Sequence, residues 1–169
     1  MTRAADIATV ADGPRLADIR RLFEEYAAWV AVDLSFQGFP EELAGLPGEY
    51  VAPDGTLLLA SVENVAAGCV AVRRSDETGC EMKRLYVRPA FQGIGCGRQL
   101  AERAIAWARA AGYRRIRLDT LPSMTDAQRM YERLGFKDVP PYRFNPIAGT
   151  RYLELTLVMN ASQIDGDGG

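Results

Sequence analysis

From Val87 to Arg98 the chain reads Val-Arg-Pro-Ala-Phe-Gln-Gly-Ile-Gly-Cys-Gly-Arg, the densest chemical signal in its 169 residues. Glycine lacks a Cβ, so Gly93, Gly95 and Gly97 let the backbone approach a ligand closely and turn its N–H groups outward. An amphipathic helical pattern begins at Gly97, and a helix N-terminus there adds about half a positive charge. Together these features make a seat for phosphate or pyrophosphate. Arg98 is placed to add a charge-assisted contact. Two common phosphate loops are excluded by local detail. A Walker A loop needs Gly-Lys-Ser/Thr where Arg98-Gln99 stands, and a dinucleotide fingerprint needs G-x-G-x-x-G after the first strand of a βαβ unit. A plain turn would not need three glycines at alternate positions.

Other chemistries are excluded by composition. No histidine is present, which removes Ser-His-Asp and Cys-His catalysis and histidine-containing zinc sites. Cys69, Cys80 and Cys96 are odd in number and lack C-x-x-C spacing, so neither a disulfide framework nor a metal site is expected. A reducing cytoplasm fits such cysteine usage. With 20 Lys+Arg against 22 Asp+Glu, no basic excess exists to attract nucleic acid or an anionic membrane. Neither a signal peptide nor a run of about 20 apolar residues is visible.

The elements that must position the loop follow from hydrophobic periodicity. Leu16, Ile19, Leu22, Phe23, Tyr26, Ala27 and Val30 recur at three and four, predicting an amphipathic helix. From Asp33 to Pro53 a Gly- and Pro-punctuated loop is expected, with a short helix around Pro40–Ala44. Strands are expected over Thr56–Val62, Ala66–Arg73 and Cys80–Val87, an antiparallel meander. A helix follows from about Gly97 to Ala111, then a strand over Arg114–Thr120. The next helix spans Thr125–Leu134, with Thr125-x-x-Gln128 as a capping box, and Arg151–Val158 is the last strand. One domain over residues 1–160 and a flexible tail over 161–169 are expected. The order α, β, β, β, α, β, α, β is α+β rather than an even alternation.

Val87-x-Pro89-x-x-Gln92-x-x-Gly95-x-Gly97 resembles the acetyl-CoA signature Q/R-x-x-G-x-G/A of the GNAT superfamily of N-acetyltransferases. Ala127-x-x-x-Tyr131-Glu-Arg-Leu-Gly135-Phe136 is similar to that family's fourth helix and the strand after it. The resemblance implies a three-layer α/β sandwich: a mixed, mostly antiparallel sheet, helices on both faces, and a strand pair splayed for the coenzyme. It implies that Gln92, Gly93, Ile94, Gly95, Cys96, Gly97 and Arg98 cradle the pyrophosphate of acetyl-CoA. Leu85, Tyr86 and Val87 would pair with the pantetheine arm as an added strand does. Tyr131 would protonate the departing thiolate, the other reading being a core aromatic. Glu81 matches a glutamate base of histone acetyltransferases in this superfamily, the other reading being a carboxylate paired with Lys83 or Arg84. The frequent asparagine seven residues before the tyrosine is replaced by Met124, between Ser123 and Thr125.

An acetyltransferase of this kind acts by direct attack of a primary amine, without metal. The acceptor is expected to be a small molecule held by Phe36, Phe39, Arg84, Tyr142 and Arg143, with Gln37, Tyr50, Phe144 and Asn145 nearby. Aromatics around arginines and Lys83 would suit an amine that also carries a carboxylate. Ordinary core packing is the competing explanation for the aromatics. No nucleic-acid or membrane partner is expected, and a homodimer is left open. A catalytically silent acyl-CoA-binding or sensor module on the same fold is the alternative to an enzyme.

Overall fold

The computed structural model describes residues 4–157. The continuous apolar run Thr56–Val62 forms a strand buried on both faces, β2, because helices cover the sheet on both sides. Around it lie β1 (Asp6–Thr9), β3 (Val65–Arg74), β4 (Gly79–Val87), β5 (Arg115–Thr120), β6 (Lys137–Asp138) and β7 (Arg151–Thr156). Their order across the sheet is β1-β2-β3-β4-β5-β7-β6. Every pairing is antiparallel except β4 with β5. A parallel pair needs a crossover, and α3 (Cys96–Ala110) supplies it.

One face packs against α3 and α4 (Thr125–Arg133) through Leu58, Ala60, Val70, Met82, Leu100, Ile116, Leu118 and Tyr131. Ala101, Ala104 and Ala108 are fully buried, and such small side chains let α3 lie close on the sheet. The other face packs against α1 (Arg15–Val30) and the short α2 (Phe39–Ala44) through Ile19, Leu22, Phe23, Leu57, Leu59 and Tyr86. The expected mixed sheet with helices on both faces is thus present. Phe39 and Tyr50 are buried in this second core, so the 33–53 segment is structural as well as connecting.

Three details differ from the sequence reading. Two short edge strands, β1 and β6, were not expected. The capping box does not form: Met124 is the N-cap of α4, without a side-chain cap, and the Gln128 amide donates to the Leu121 carbonyl instead (2.7 Å). The last strand ends at Thr156; the expected end at Val158 and the tail over 161–169 lie outside the described residues. Among the described residues no helix is long and apolar enough to cross a membrane.

Candidate active site

The glycine loop leaves β4 through a 3-10 turn, Pro89–Phe91, pinned by the buried Phe91 ring. Gln92 Nε2 donates to the Val87 carbonyl (3.1 Å), tying the loop back to the strand end. Gly93 and Gly95 have φ of +83° and +82°, a region that disfavours any Cβ, although a Cβ at either would meet nothing within 4 Å. Conformation, not crowding, requires glycine there. Gly97 is different: its φ is not left-handed, and a Cβ would make an ordinary 3.5 Å contact with Val87. The requirement for three glycines therefore narrows to two.

No backbone N–H from Gly93 through Arg98 meets a protein acceptor among the described residues, the first bond of α3 being Gln99 N–H to the Gly95 carbonyl (3.0 Å). These donors line a groove of about 400 Å³ with Leu85, Val87, Ala127 and Met130. Ile94 packs partly into the core beneath. The Cys96 side chain is also turned inward, and burial pushes its thiol above the ordinary value, away from nucleophilic use. Arg98 bridges to Glu102 at 2.8 Å while remaining exposed.

Beyond this groove the sheet opens. The β4–β5 ladder runs only from Gly79↔Arg115 to Glu81↔Arg117, yet β4 continues to Val87 and β5 to Thr120. The Arg88 N–H bonds the Ala67 carbonyl, so alternation turns the backbone groups of Val87 and Leu85 away from β3, towards the gap. A β-bulge sharpens the divergence. Cys69 faces Tyr86 and Ala71 faces Lys83, which places one extra residue in β4. Arg84 sits in that bulge at φ 60°, a conformation costing a non-glycine residue about 1 kcal/mol or more.

Arg84 is anchored strongly enough to hold this strain. Its guanidinium pairs with Glu42 (2.9 and 3.3 Å), donates to Gln37 Oε1 (2.8 Å) and lies 5.0 Å from the Phe39 ring centroid. Burial raises the Glu42 carboxyl, but Arg84 and the Tyr50 hydroxyl (2.6 Å) outweigh it and hold Glu42 below its ordinary value. This contribution to stability is therefore present above the usual carboxylate range, near pH 4–5, and is lost as pH falls through the depressed value. Glu42→Ala leaves a buried guanidinium without its anion, and about 3–5 kcal/mol of stability should be lost. Thermal unfolding should show a midpoint drop on the order of 10 °C; an unchanged midpoint would remove the anchoring role.

Residues from both faces of the sheet line one cavity at the gap. Met82, Leu85, Leu118, Thr120, Met124, Ala127 and Tyr131 come from the α3–α4 side; Tyr26, Trp29, Gln37, Lys83 and Asp119 come from the α1–α2 side. This cavity shares Trp29, Leu85 and Ala127 with the loop groove, so the two are adjacent. Tyr131 is buried, edge-on to Phe136 at 5.6 Å, and burial raises its phenol well above the ordinary value. It is both core aromatic and cavity wall. Met124 places a thioether at the position where the resemblance would put an amide, with Sδ 3.8 Å from the Thr120 hydroxyl.

The remaining expected site residues form a separate cluster. Glu81 is fully buried; its Oε1 accepts from Arg73 (3.2 Å) and Arg143, and its Oε2 accepts from the Tyr142 hydroxyl (3.0 Å). Both of its oxygens are thus already accepting. Phe36 packs partly buried against the α1 core, while Phe144 is exposed. Asp119 and Trp29 were missed by the sequence reading. Asp119 belongs to the polar alternation Arg115, Arg117, Asp119 along β5, and Trp29 lies on the α1 flank, 5.9 Å from the Tyr86 ring. Among the described residues no group of three or more potential metal ligands occurs.

The acetyltransferase (GNAT) family pattern matches residues 17–136. An N-acetyltransferase of Schizosaccharomyces pombe, itself uncharacterized, is 40% identical over 144 residues, covering 84% of this chain and 88% of that protein. Two solved structures share the fold. An acetyltransferase from Streptococcus agalactiae gives a TM-score of 0.72 at 23% identity, covering 90% of this chain and 98% of the other. A GNAT family acetyltransferase from Elizabethkingia anophelis with acetyl-CoA bound gives 0.63 at 23% identity, with 90% and 98% covered. The fold and these relatives define an acyltransferase. The chain belongs to the GNAT family of N-acetyltransferases.

Proposed function

We propose that this chain transfers the acetyl group of acetyl-CoA to a primary amine of a small molecule, by direct attack within a ternary complex. One observation carries the reading: the row of N–H groups at Gly93–Arg98 without a protein acceptor lines a groove adjacent to the Tyr131 cavity. The pyrophosphate binds at the loop, where N–H groups and the α3 dipole favour negative charge. Pantetheine then runs along the edge of β4 at Leu85 and Val87 that β5 leaves without a strand partner, extending the sheet there. This directs the thioester to the gap beside Tyr131, with the acceptor arriving from the α1–α2 side. Three free, buried cysteines suit a reducing compartment, the cytoplasm.

The amine nitrogen attacks the thioester carbonyl, the C–S bond breaks, and Tyr131 donates its proton to the leaving thiolate. Burial raises that phenol, which keeps it in the protonated form that can donate. Glu81 acts by holding Tyr142 and Arg143 rather than by taking the amine's proton, because both carboxylate oxygens already accept hydrogen bonds. The acceptor ammonium gives one proton to water before it attacks, and the second, released after C–N bond formation, returns Tyr131 to its phenol form through water. Co-localising the two substrates supplies much of the rate. A screen of small amines that follows free thiol release from acetyl-CoA tests the proposal. Acetyl-CoA binding without thiol release from any amine would favour the silent binding module instead.

A further inference from the structure

Two opposite charges in the cavity at the β4–β5 gap, Lys83 and Asp119, have no ionic partner among the described residues. The arginines brought to this region all have ionic partners: Arg84 has Glu42, Arg143 has Glu81, and Arg73 has Glu81 and Glu49. Lys83 is buried, lines the cavity, and among the described residues makes only a 3.3 Å hydrogen bond to Gln37 Oε1. Asp119 lines the same cavity; its Oδ2 accepts from Asn145 (3.2 Å), and no cation lies within ion-pair distance of it among the described residues. Asp119 is held by Asn145 and Lys83 by Gln37, so each charge is tied to a different segment around the cavity.

Resting on the acetyltransferase reading, we propose that the acceptor is a small amine that also bears a carboxylate, its ammonium held by Asp119 and its carboxylate by Lys83. A buried, unpaired charge such as Lys83 is unfavourable, and a ligand carrying both opposite charges gives it and the half-buried Asp119 an ionic partner at once. Asp119 and Tyr131 line the same cavity, where the reacting nitrogen must meet the thioester, and Lys83 is tied to Gln37, just before α2. Burial lowers the Lys83 ammonium to about 8, with Arg84 on β4, Arg143 and Arg73 on β3 adding to the depression and Glu81 opposing it. An anion beside it would reverse that depression. The sequence reading placed Arg143, Arg84 and Lys83 around the carboxylate; the ion pairs of the two arginines leave Lys83 as the cation able to take it.

The test uses the native protein, acetyl-CoA and matched acceptors at equal free-base concentration: alanine with ethylamine, leucine with isoamylamine, and γ-aminobutyrate with propylamine. Thiol release gives kcat/KM for each. A charge-assisted contact to Lys83 should favour the carboxylated member of at least one pair on the order of 10-fold. Lys83→Met should bring that ratio close to unity, and Lys83→Arg should keep part of it. Asp119→Asn should lower kcat/KM for both members alike, again on the order of 10-fold. Equal or better use of the plain amine in every pair overturns the assignment while leaving the acetyltransferase reading intact. A ratio that survives Lys83→Met overturns the role of Lys83. Release from no acceptor at all overturns both readings.

Discussion

Gly95→Asp is expected to lower acetyl-CoA affinity on the order of 10³-fold. A carboxylate about 4 Å from a phosphate charge costs roughly 4 kcal/mol at the effective dielectric of a partly exposed site, and each 1.4 kcal/mol is tenfold. Nothing in the protein lies within 4 Å of a Cβ at this position, so no steric collapse of the loop contributes. Gly95→Ala separates the effects. It keeps the left-handed strain at φ +82° and adds no charge, so its loss should be on the order of 10-fold. Calorimetric titration with coenzyme A measures both, and equal affinity in Gly95→Asp and the native protein would place the pyrophosphate elsewhere.

Tyr131→Phe removes one oxygen from a buried ring that otherwise keeps its packing against Phe136. Loss of a general acid should lower kcat by about 10²–10⁴-fold. Acetyl-CoA affinity should hardly change, because the loop and the β4 edge are untouched. The division matters: a merely structural tyrosine would lower stability and leave kcat near its native value. Steady-state kinetics with one active acceptor, beside coenzyme titration, separates the two outcomes.

The contrast between Gly95 and Asp119 shows which parts of the site were legible in the sequence. A loop that needs left-handed backbone and free N–H groups must be written in glycine, next to the helix it opens, so its signal is local. Asp119 carried only the alternation of a half-buried strand. Whether that polar side meets solvent or a cavity depends on where β5 parts from β4, a long-range event no window of residues encodes. Lys83 was named from the sequence, but only the fold separates it from Arg84 and Arg143, whose ion pairs are made across the chain. The left-handed Arg84 is held by Glu42, 42 residues away in sequence, and has no local mark. β1 and β6, four and two residues long, are too short to show a period.

Direct attack in a ternary complex is the central claim, and a two-substrate initial-rate study tests it most directly. The chain has no histidine, and the Cys96 thiol is buried and raised above its ordinary value, so no activated nucleophile is on hand to carry an acetyl group. Double-reciprocal plots at several fixed acceptor concentrations should therefore intersect, and Cys96→Ala should keep most of the activity. Parallel lines, with acetyl recovered on a Cys96 peptide, would contradict the account.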